Sequence, residues 1–368
     1  MSDLDINVEY CRMRQQRLLV EMRRLSIDLV IVTRTEHVQY LTGPRFGWVF
    51  EPAAALSIDG HCTLVAPNKA PDVAAADEVT TYEAQWHSTL RNDQRQASAA
   101  ALLKALSRQP KPQRVGVEFS CCGPHITQAL GATLVDIEPE LFRLRRRKDP
   151  DELARIKKAI AATKAMYARA REVIRPGINE LDVFNELQAV AVRELGEMLT
   201  GTGNDYACGV PGGPPRDRAA QDGELYILDL GPAFRGYFAD NCRAFAVNGR
   251  PTDLQQKAWQ HIANVFPIVE RMAEPGASCR QLFEEVNAHL EQFKGAKFGH
   301  HLGHGIGLFP HEAPHLNPHW DDTFEIGEVF TAEPGLYSDA LRGGIRLEND
   351  YLVTETGVEL LSDIPLGL

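Results

Sequence analysis

Asp229, Asp240, His304, Glu333 and Glu348 are all metal-ligand types, and each stands in a context that could aim it at one point. Asp229 lies in the apolar run from Leu225 to Pro232, and Asp240 in the following run from Tyr237 to Val247. The turn Pro232-Ala-Phe-Arg-Gly236 between them predicts a hairpin with one acid on each strand. The runs Val329–Tyr337 and Gly344–Val353 repeat the scheme with Glu333 and Glu348. Between the two hairpins, the stretch from Phe298 to Glu312 supplies imidazoles on a glycine-rich segment. Four carboxylates and one histidine on rigid strands suit two hard or borderline divalent cations, so the pattern predicts a dinuclear metal hydrolase.

Each acid alone has a plainer reading, as a turn residue, an edge charge or a solvent-facing strand residue. Together, flanked by apolar neighbours on strands expected to be buried, they read differently. A buried, unpaired carboxylate costs several kcal/mol, and metal coordination removes that cost. His304 is the most glycine-flanked imidazole, since Gly303, Gly305 and Gly307 let the backbone approach closely, and it is the expected histidine ligand. His300 and His311 are candidates for polarising a substrate carbonyl or shuttling protons. His301 is expected to point away from His300 along an extended chain. His311-Glu-Ala-Pro-His315 matches the zinc-protease pattern His-Glu-x-x-His. That pattern needs a helix, which Pro310, Pro314 and Pro318 oppose.

The elements that must position these residues follow from periodicity. A helix is expected over 7–25, and a short buried strand over 28–33. A hairpin of 55–58 with 62–65 is expected across Asp59-Gly60, with further strands at 79–83, 114–119 and 133–137. Helices at 93–108 and 123–130 interleave with them, which gives an α/β domain over residues 1–147. The charge run Arg143-Leu-Arg-Arg-Arg-Lys-Asp-Pro-Asp-Glu152 reads as a solvated connection, with Pro150 starting the next helix. Over 148–368, helices are expected at 149–174, 181–195, 254–272 and 279–293. They alternate with the two acid-bearing hairpins as a crude internal repeat.

With 368 residues, two domains are expected. Hydrophobic content of 44% with 24% charged residues is that of a soluble globular protein. A net charge of −11 argues against nucleic acid or an anionic membrane as partner. The acidic start Met1-Ser-Asp-Leu-Asp-Ile carries no secretory signal pattern, and no window is apolar enough to span a bilayer. Seven scattered cysteines without a Cys-x-x-Cys pair read as reduced thiols of a cytoplasmic protein.

At the acid and histidine motifs the sequence resembles the pita-bread metallopeptidase family, which includes prolidase, aminopeptidase P, methionine aminopeptidase and creatinase. The likeness is carried by Leu228-Asp-Leu-Gly, by Gly236-Tyr-Phe-Ala-Asp-Asn-Cys-Arg243 and by the segment from His300 to Pro314. Thr331-Ala-Glu-Pro-Gly-Leu-Tyr337, Gly344-Ile-Arg-Leu-Glu348 and the eleven-residue step from Asp229 to Asp240 complete it. Arg147-Lys-Asp-Pro-Asp-Glu and Pro176-Gly-Ile-Asn-Glu180 resemble the family's interdomain joint and helix turn, and Val38-Gln-Tyr-Leu-Thr-Gly43 resembles its N-terminal domain.

The resemblance implies an α+β, creatinase-type chain of two domains, an N-terminal α/β domain and a C-terminal pita-bread catalytic domain. It implies two divalent ions (Mn, Fe, Co or Zn), with Asp229 on one, His304 and Glu333 on the other, and Asp240 and Glu348 bridging. A bridging hydroxide would attack the scissile carbonyl, with Glu333 as base. It also implies a homodimer in which Arg45 and Trp48 lie on a loop that caps the partner's site.

One departure stands out. The peptidases carry a His in a Pro-His-x-x-Pro-x-x-Arg context, whereas here Pro211-Gly-Gly-Pro-Pro-Arg-Asp-Arg218 puts Gly212 at that place. Loss of such a donor costs about 10²–10³-fold in rate. Asp205 and Tyr206 are the nearby substitutes. Arg346 is a candidate either for a substrate carboxylate or for an ion pair with Glu348. The leading reading is a metal-dependent C–N hydrolase of Xaa-Pro dipeptidase or aminopeptidase type acting on a short peptide or small molecule. The alternatives are a non-peptidase hydrolase or lyase of a small zwitterionic or onium compound, and a catalytically silent binding module.

Overall fold

The structure, a computed structural model, describes residues 4–368. Met1 to Asp3, where the acidic start was read, lie outside the described residues. The chain divides into two units, Met1–Arg145 and Arg146–Leu368.

In the first unit, the apolar spacing of Cys11, Leu18, Leu19 and Met22 gives α1 (Val8–Leu25) one buried face, and Asn7 caps its start. Then follow β1 (Leu29–Val32), α2 (Thr35–Thr42), β2 (Ala53–Ser57), β3 (Cys62–Pro67), β4 (Glu78–Tyr82), β5 (Gln85–Trp86) and β6 (Thr89–Leu90). The unit closes with α3 (Gln94–Leu106), β7 (Arg114–Val117), α4 (Pro124–Leu130), β8 (Thr133–Asp136) and α5 (Glu138–Arg146). A six-stranded sheet runs β4-β3-β2-β1-β7-β8. The hairpin across Asp59-Gly60 forms, with β2 antiparallel to β3, while β1, β7 and β8 run parallel.

Two features of this unit differ from the sequence reading. Helix α2 was not anticipated. The backbone N–H groups of Thr33 and Arg34 before it donate to the carboxylate of Glu118, a partner no local window reveals. The charge run from Arg143 is also not a solvated connection at its start. Arg143 to Arg146 end helix α5, and Arg145 is buried; Arg146, already the first residue of the second unit, pairs within that unit with the buried Glu328.

The second unit opens on α6 (Pro150–Val173), where Asp149 and Glu152 form a reciprocal cap, followed by α7 (Glu180–Leu195). The first hairpin comprises β9 (Leu225–Leu230), β10 (Ala233–Phe234), β11 (Tyr237–Phe238) and β12 (Asn241–Ala246). Next come α8 (Asp253–Ala263), α9 (Phe266–Met272) and α10 (Cys279–Leu290). The helix expected over 254–272 is thus two, because Pro267 falls in the first turn of α9 and has no N–H to continue α8. The remaining strands are β13 (Gly303–Gly305), β14 (Glu312–Leu316), β15 (Val329–Ala332), β16 (Gly335–Ser338), β17 (Gly343–Arg346), β18 (Asn349–Thr354) and β19 (Gly357–Leu360). A sheet runs β14-β13-β15-β18-β19. The stretch from Glu312 is therefore a strand, and the zinc-protease pattern has no helix to sit on.

Both acid-bearing hairpins are broken midway instead of running through. In the first, β9 pairs with β12 and β10 with β11, leaving a step at Gly231-Pro232 opposite Ala239-Asp240. In the second, β15 pairs with β18 and β16 with β17, leaving a step at Glu333-Pro334 opposite Leu347-Glu348. Pro232 and Pro334 cannot donate to a ladder, which accounts for the interruptions. The hairpins are joined where they break: Glu348 N–H donates to Cys242 C=O at 2.9 Å, and Asn241 Nδ2 to Glu348 C=O at 3.3 Å. Apolar side chains of α6 and α7 pack against β9 and β12, and those of α8, α9 and α10 pack against β15 and β18.

Candidate metal centre

The sequence dictates a tight approach around His304. A Cβ at Gly303 would lie 2.0 Å from Thr331 O, and one at Gly305 2.1 Å from Ala313 O, so both flanking positions must be glycine. His304 is consequently clasped between β14 and β15 and is 3% exposed. Its Nδ1 lies 3.0 Å from Gly305 O, to which the ring donates. That leaves Nε2 with its lone pair facing inward, the arrangement a ligating imidazole needs. Nε2 stands 3.6 Å from Glu333 Oε1 and 3.7 Å from Asp240 Oδ2.

Asp240, at the step before β12, and Glu348, at the step before β18, converge on the same imidazole. One ligand atom from each of Asp240, His304 and Glu348 lies within 4.8 Å of the others. Asp229 approaches Asp240 from the paired strand, and the two carboxyls interact directly. Asp229 Oδ1 and Glu348 Oε2 are inaccessible to solvent and, among the described residues, have no hydrogen-bond partner. Burial, then crowding by the other carboxylates, pushes Asp240 and Glu348 far above the usual carboxylate range. Burial, then Asp229, holds Glu333 at about 8. Burial drives His304 well below its usual value, so the ring is neutral. Converging buried carboxylates with unpaired oxygens around a neutral imidazole fit a divalent cation.

The outer groups fall into place around this core. His300 Nε2 lies 2.8 Å from Tyr337 Oη, and burial followed by the Arg346 charge lowers its pKa to about 4. His301 does not point away as expected: its Nε2 comes to 3.1 Å from Glu333 Oε1. The period-2 alternation assumed for it fails because residues 300–302 precede β13 and are not a regular strand. His311 stacks flat on His304, with centroids 3.6 Å apart. Arg346 donates to Asp229 Oδ2 at 2.7 Å, to Asp205, and to Tyr337 Oη at 3.2 Å; Glu348 is not among its partners. Tyr206 is buried, with its hydroxyl on Thr202 and Gln188 at 3.0 Å. Arg45 belongs to the first unit, where it donates to Gln39 at 2.9 Å and pairs with Glu36 at 3.6 Å.

Residues 154–355 match Metallopeptidase family M24, and residues 14–146 match the creatinase/prolidase N-terminal domain. The chain belongs to metallopeptidase family M24. It is 26% identical over 365 residues to an uncharacterized peptidase, YqhT, of Bacillus subtilis, covering 97% of this chain and 99% of that one. Its fold is that of an Xaa-Pro dipeptidase from Bacillus anthracis, with a TM-score of 0.82 at 23% identity over 97% of this chain and 99% of the other. A prolidase from Pyrococcus horikoshii OT3 gives 0.79 at 22% identity over 96% and 99%. The creatinase-type architecture, an N-terminal α/β domain followed by the M24 catalytic domain, is therefore that of this chain. Among the described residues no helix is long and apolar enough to cross a membrane.

In this M24 chain the loop bearing Gly212 is held from below by Glu180, at the start of α7. Glu180 accepts from Cys208 N at 3.1 Å and from Arg216 N at 2.9 Å, and pairs with the Arg216 guanidinium at 2.6 Å. Gly212 itself lies against the carboxylate of Asp205.

Proposed function

We propose that this M24 chain is a dinuclear metal-dependent hydrolase of C–N bonds, acting on Xaa-Pro dipeptides or closely related small substrates. The convergence of Asp240, His304 and Glu348 within 4.8 Å carries the reading. The unpartnered buried oxygens of Asp229 and Glu348 support it. Asp229, Asp240 and Glu348 would hold one ion, and Asp240, His304, Glu333 and Glu348 the other. Carboxylate-dominated ligation suits Mn, Fe or Co at least as well as Zn. When bound, two such ions supply Lewis acidity, lowering the pKa of a water and polarising a carbonyl.

The chain's own groups do the rest. Glu333, once an incoming ion has displaced its proton, would take one from the attacking water at Oε1, where His301 Nε2 at 3.1 Å steadies it. His300 is neutral and held at both ring nitrogens, donating from Nδ1 to the His301 carbonyl at 2.8 Å and accepting at Nε2 from Tyr337 Oη at 2.8 Å, so it would serve to fix Tyr337 beside Arg346, and His311 backs His304. Seven cysteines, none of them in a disulfide among the described residues, support residence in a reducing compartment, the cytoplasm, and the resemblance to prolidase-type chains supports a homodimer.

One observation favours a second reading. Gly212 stands where the peptidases carry a histidine, and that points to a hydrolase or lyase of a small zwitterion on the same centre. The test is turnover of Xaa-Pro dipeptides, tripeptides and N-acyl amino acids by chelated protein reloaded with Mn(II), Co(II) or Zn(II). Metal-dependent cleavage of Xaa-Pro substrates is expected. Full activity after exhaustive chelation would overturn the metal reading, and cleavage confined to N-acyl amino acids would select the second one.

A further inference from the structure

Asp205 lies outside every motif that marks the metal centre, yet it is bonded into it. Its backbone bridges Asp229 as an antiparallel partner, with Asp229 N–H donating to Asp205 C=O at 2.9 Å. Residues opposite each other in an antiparallel pair project to the same face, so the two carboxylates stand side by side. One guanidinium nitrogen, Arg346 Nη2, donates to both: to Asp205 Oδ2, and to Asp229 Oδ2 at 2.7 Å. The other oxygen, Asp205 Oδ1, accepts from Gly213 N–H at 2.8 Å. The result is a single-pronged grip on Asp229, which leaves Asp229 Oδ1 unpartnered and buried.

An arginine beside a lone carboxylate prefers the two-pronged fork. A fork on Asp229 would cover Oδ1 and compete with a cation for it. Asp205, drawing the shared Nη2 to its own side, and Tyr337, holding Nη1 at 3.2 Å, together oppose this. The space it uses is the space a side chain at 212 would need. A Cβ on Gly212 would lie 2.4 Å from Asp205 Oδ2 and 2.9 Å from its Cγ. The carboxylate at 205, where it stands, therefore requires that 212 carry no side chain.

We infer that Asp205 is the positioning residue for the Asp229 half of the metal centre, and that glycine at 212 is what gives it room. This rests on the dinuclear reading above. It also means that Gly212→His would push Asp205 off Arg346 before it restored any donor.

The experiment is titration of chelated full-length protein with Co(II), followed by calorimetry and by the visible absorption of the bound ion, alongside thermal unfolding. The wild-type chain, measured first, is expected to take two equivalents; failure to do so would refute the dinuclear reading itself. With two equivalents established, Asp205→Ala should keep one at wild-type affinity and weaken the other by about 10–100-fold, the usual effect of losing an outer-sphere partner. Gly212→Ala, a second route to the same break, should show the same selective loss. The Asp205→Ala/Gly212→Ala double variant should bind the second ion no more weakly than Asp205→Ala alone, since the added methyl then meets no carboxylate, while the backbone strain of a side chain at φ +157° shows in the unfolding temperature of both Gly212 variants. Two equivalents at wild-type affinity in Asp205→Ala, with only a lower unfolding temperature, would make Asp205 a loop staple and overturn the inference. Additive losses in the double variant would break the proposed link between 205 and 212.

Discussion

Glu333 is gripped by more than the neighbours proposed to share an ion with it. His301 Nε2 at 3.1 Å and His304 Nε2 at 3.6 Å approach the same oxygen, Oε1. His301 is held near a pKa of 4 by burial and then by the neighbouring His300, so it is neutral at pH 7 and able to donate. Replacing it by alanine should leave two ions bound and lower kcat by about 10-fold, the scale of an outer-sphere contact, with KM little changed. Metal analysis beside steady-state kinetics checks this, and an unchanged kcat would remove His301 from the mechanism.

The same carboxylate sets a pH dependence. With a pKa of about 8 in the metal-free protein, Glu333 carries a proton at neutrality that an incoming cation must displace. Metal uptake should therefore release protons, and affinity should rise with pH up to about 8. Calorimetry in buffers of different ionisation enthalpy reads the number released, and zero would contradict the crowded-carboxylate picture. Stability has the matching sign. A carboxyl whose folded pKa is raised stabilises the metal-free fold below its ordinary pKa, and that contribution is lost as pH rises through about 8.

At the scale of the element, the short strand β13 shows why glycine brackets His304. Gly303→Ala places a methyl 2.0 Å from a main-chain oxygen of Thr331 that cannot rotate away. Overpacking of this kind costs roughly 3 kcal/mol, or about 6–12 °C in Tm for a unit of this size. The variant should also lose the ion at His304. A normal melting temperature with two ions bound would show that the strands can part.

The glycines and the acid-bearing hairpins were legible because their causes are local: close approach, turn residues and apolar alternation. The interruptions at Asp240, Glu333 and Glu348 were not. Pro232 and Pro334 announce that a ladder stops, but only pairing shows that it resumes two residues on with a new partner. Helix α2 escaped notice for the same reason, since Glu118, just past the end of the distant β7, holds its start. His301 was misplaced because alternation was extended into a segment that is not a strand. The Asp205–Arg346–Asp229 bond needs three segments far apart in sequence, and no spacing rule reaches across them.

At the scale of the whole molecule, the residues proposed to hold the ions all lie in the second unit, and no thiol is among them. Cys208 and Cys242, the thiols nearest the acids, are buried, and burial pushes both far above the ordinary thiol range. Alkylation of the folded protein should leave turnover intact, and inactivation without unfolding, followed by circular dichroism, would count against this. The central claim is that Asp240 and Glu348 are shared by two ions. It is tested most directly by counting metal on purified Asp240→Ala and Glu348→Ala beside the wild-type chain. The account predicts two ions per wild-type chain, fewer than two in each variant, and no turnover in either. Two ions and full turnover in either variant would contradict it.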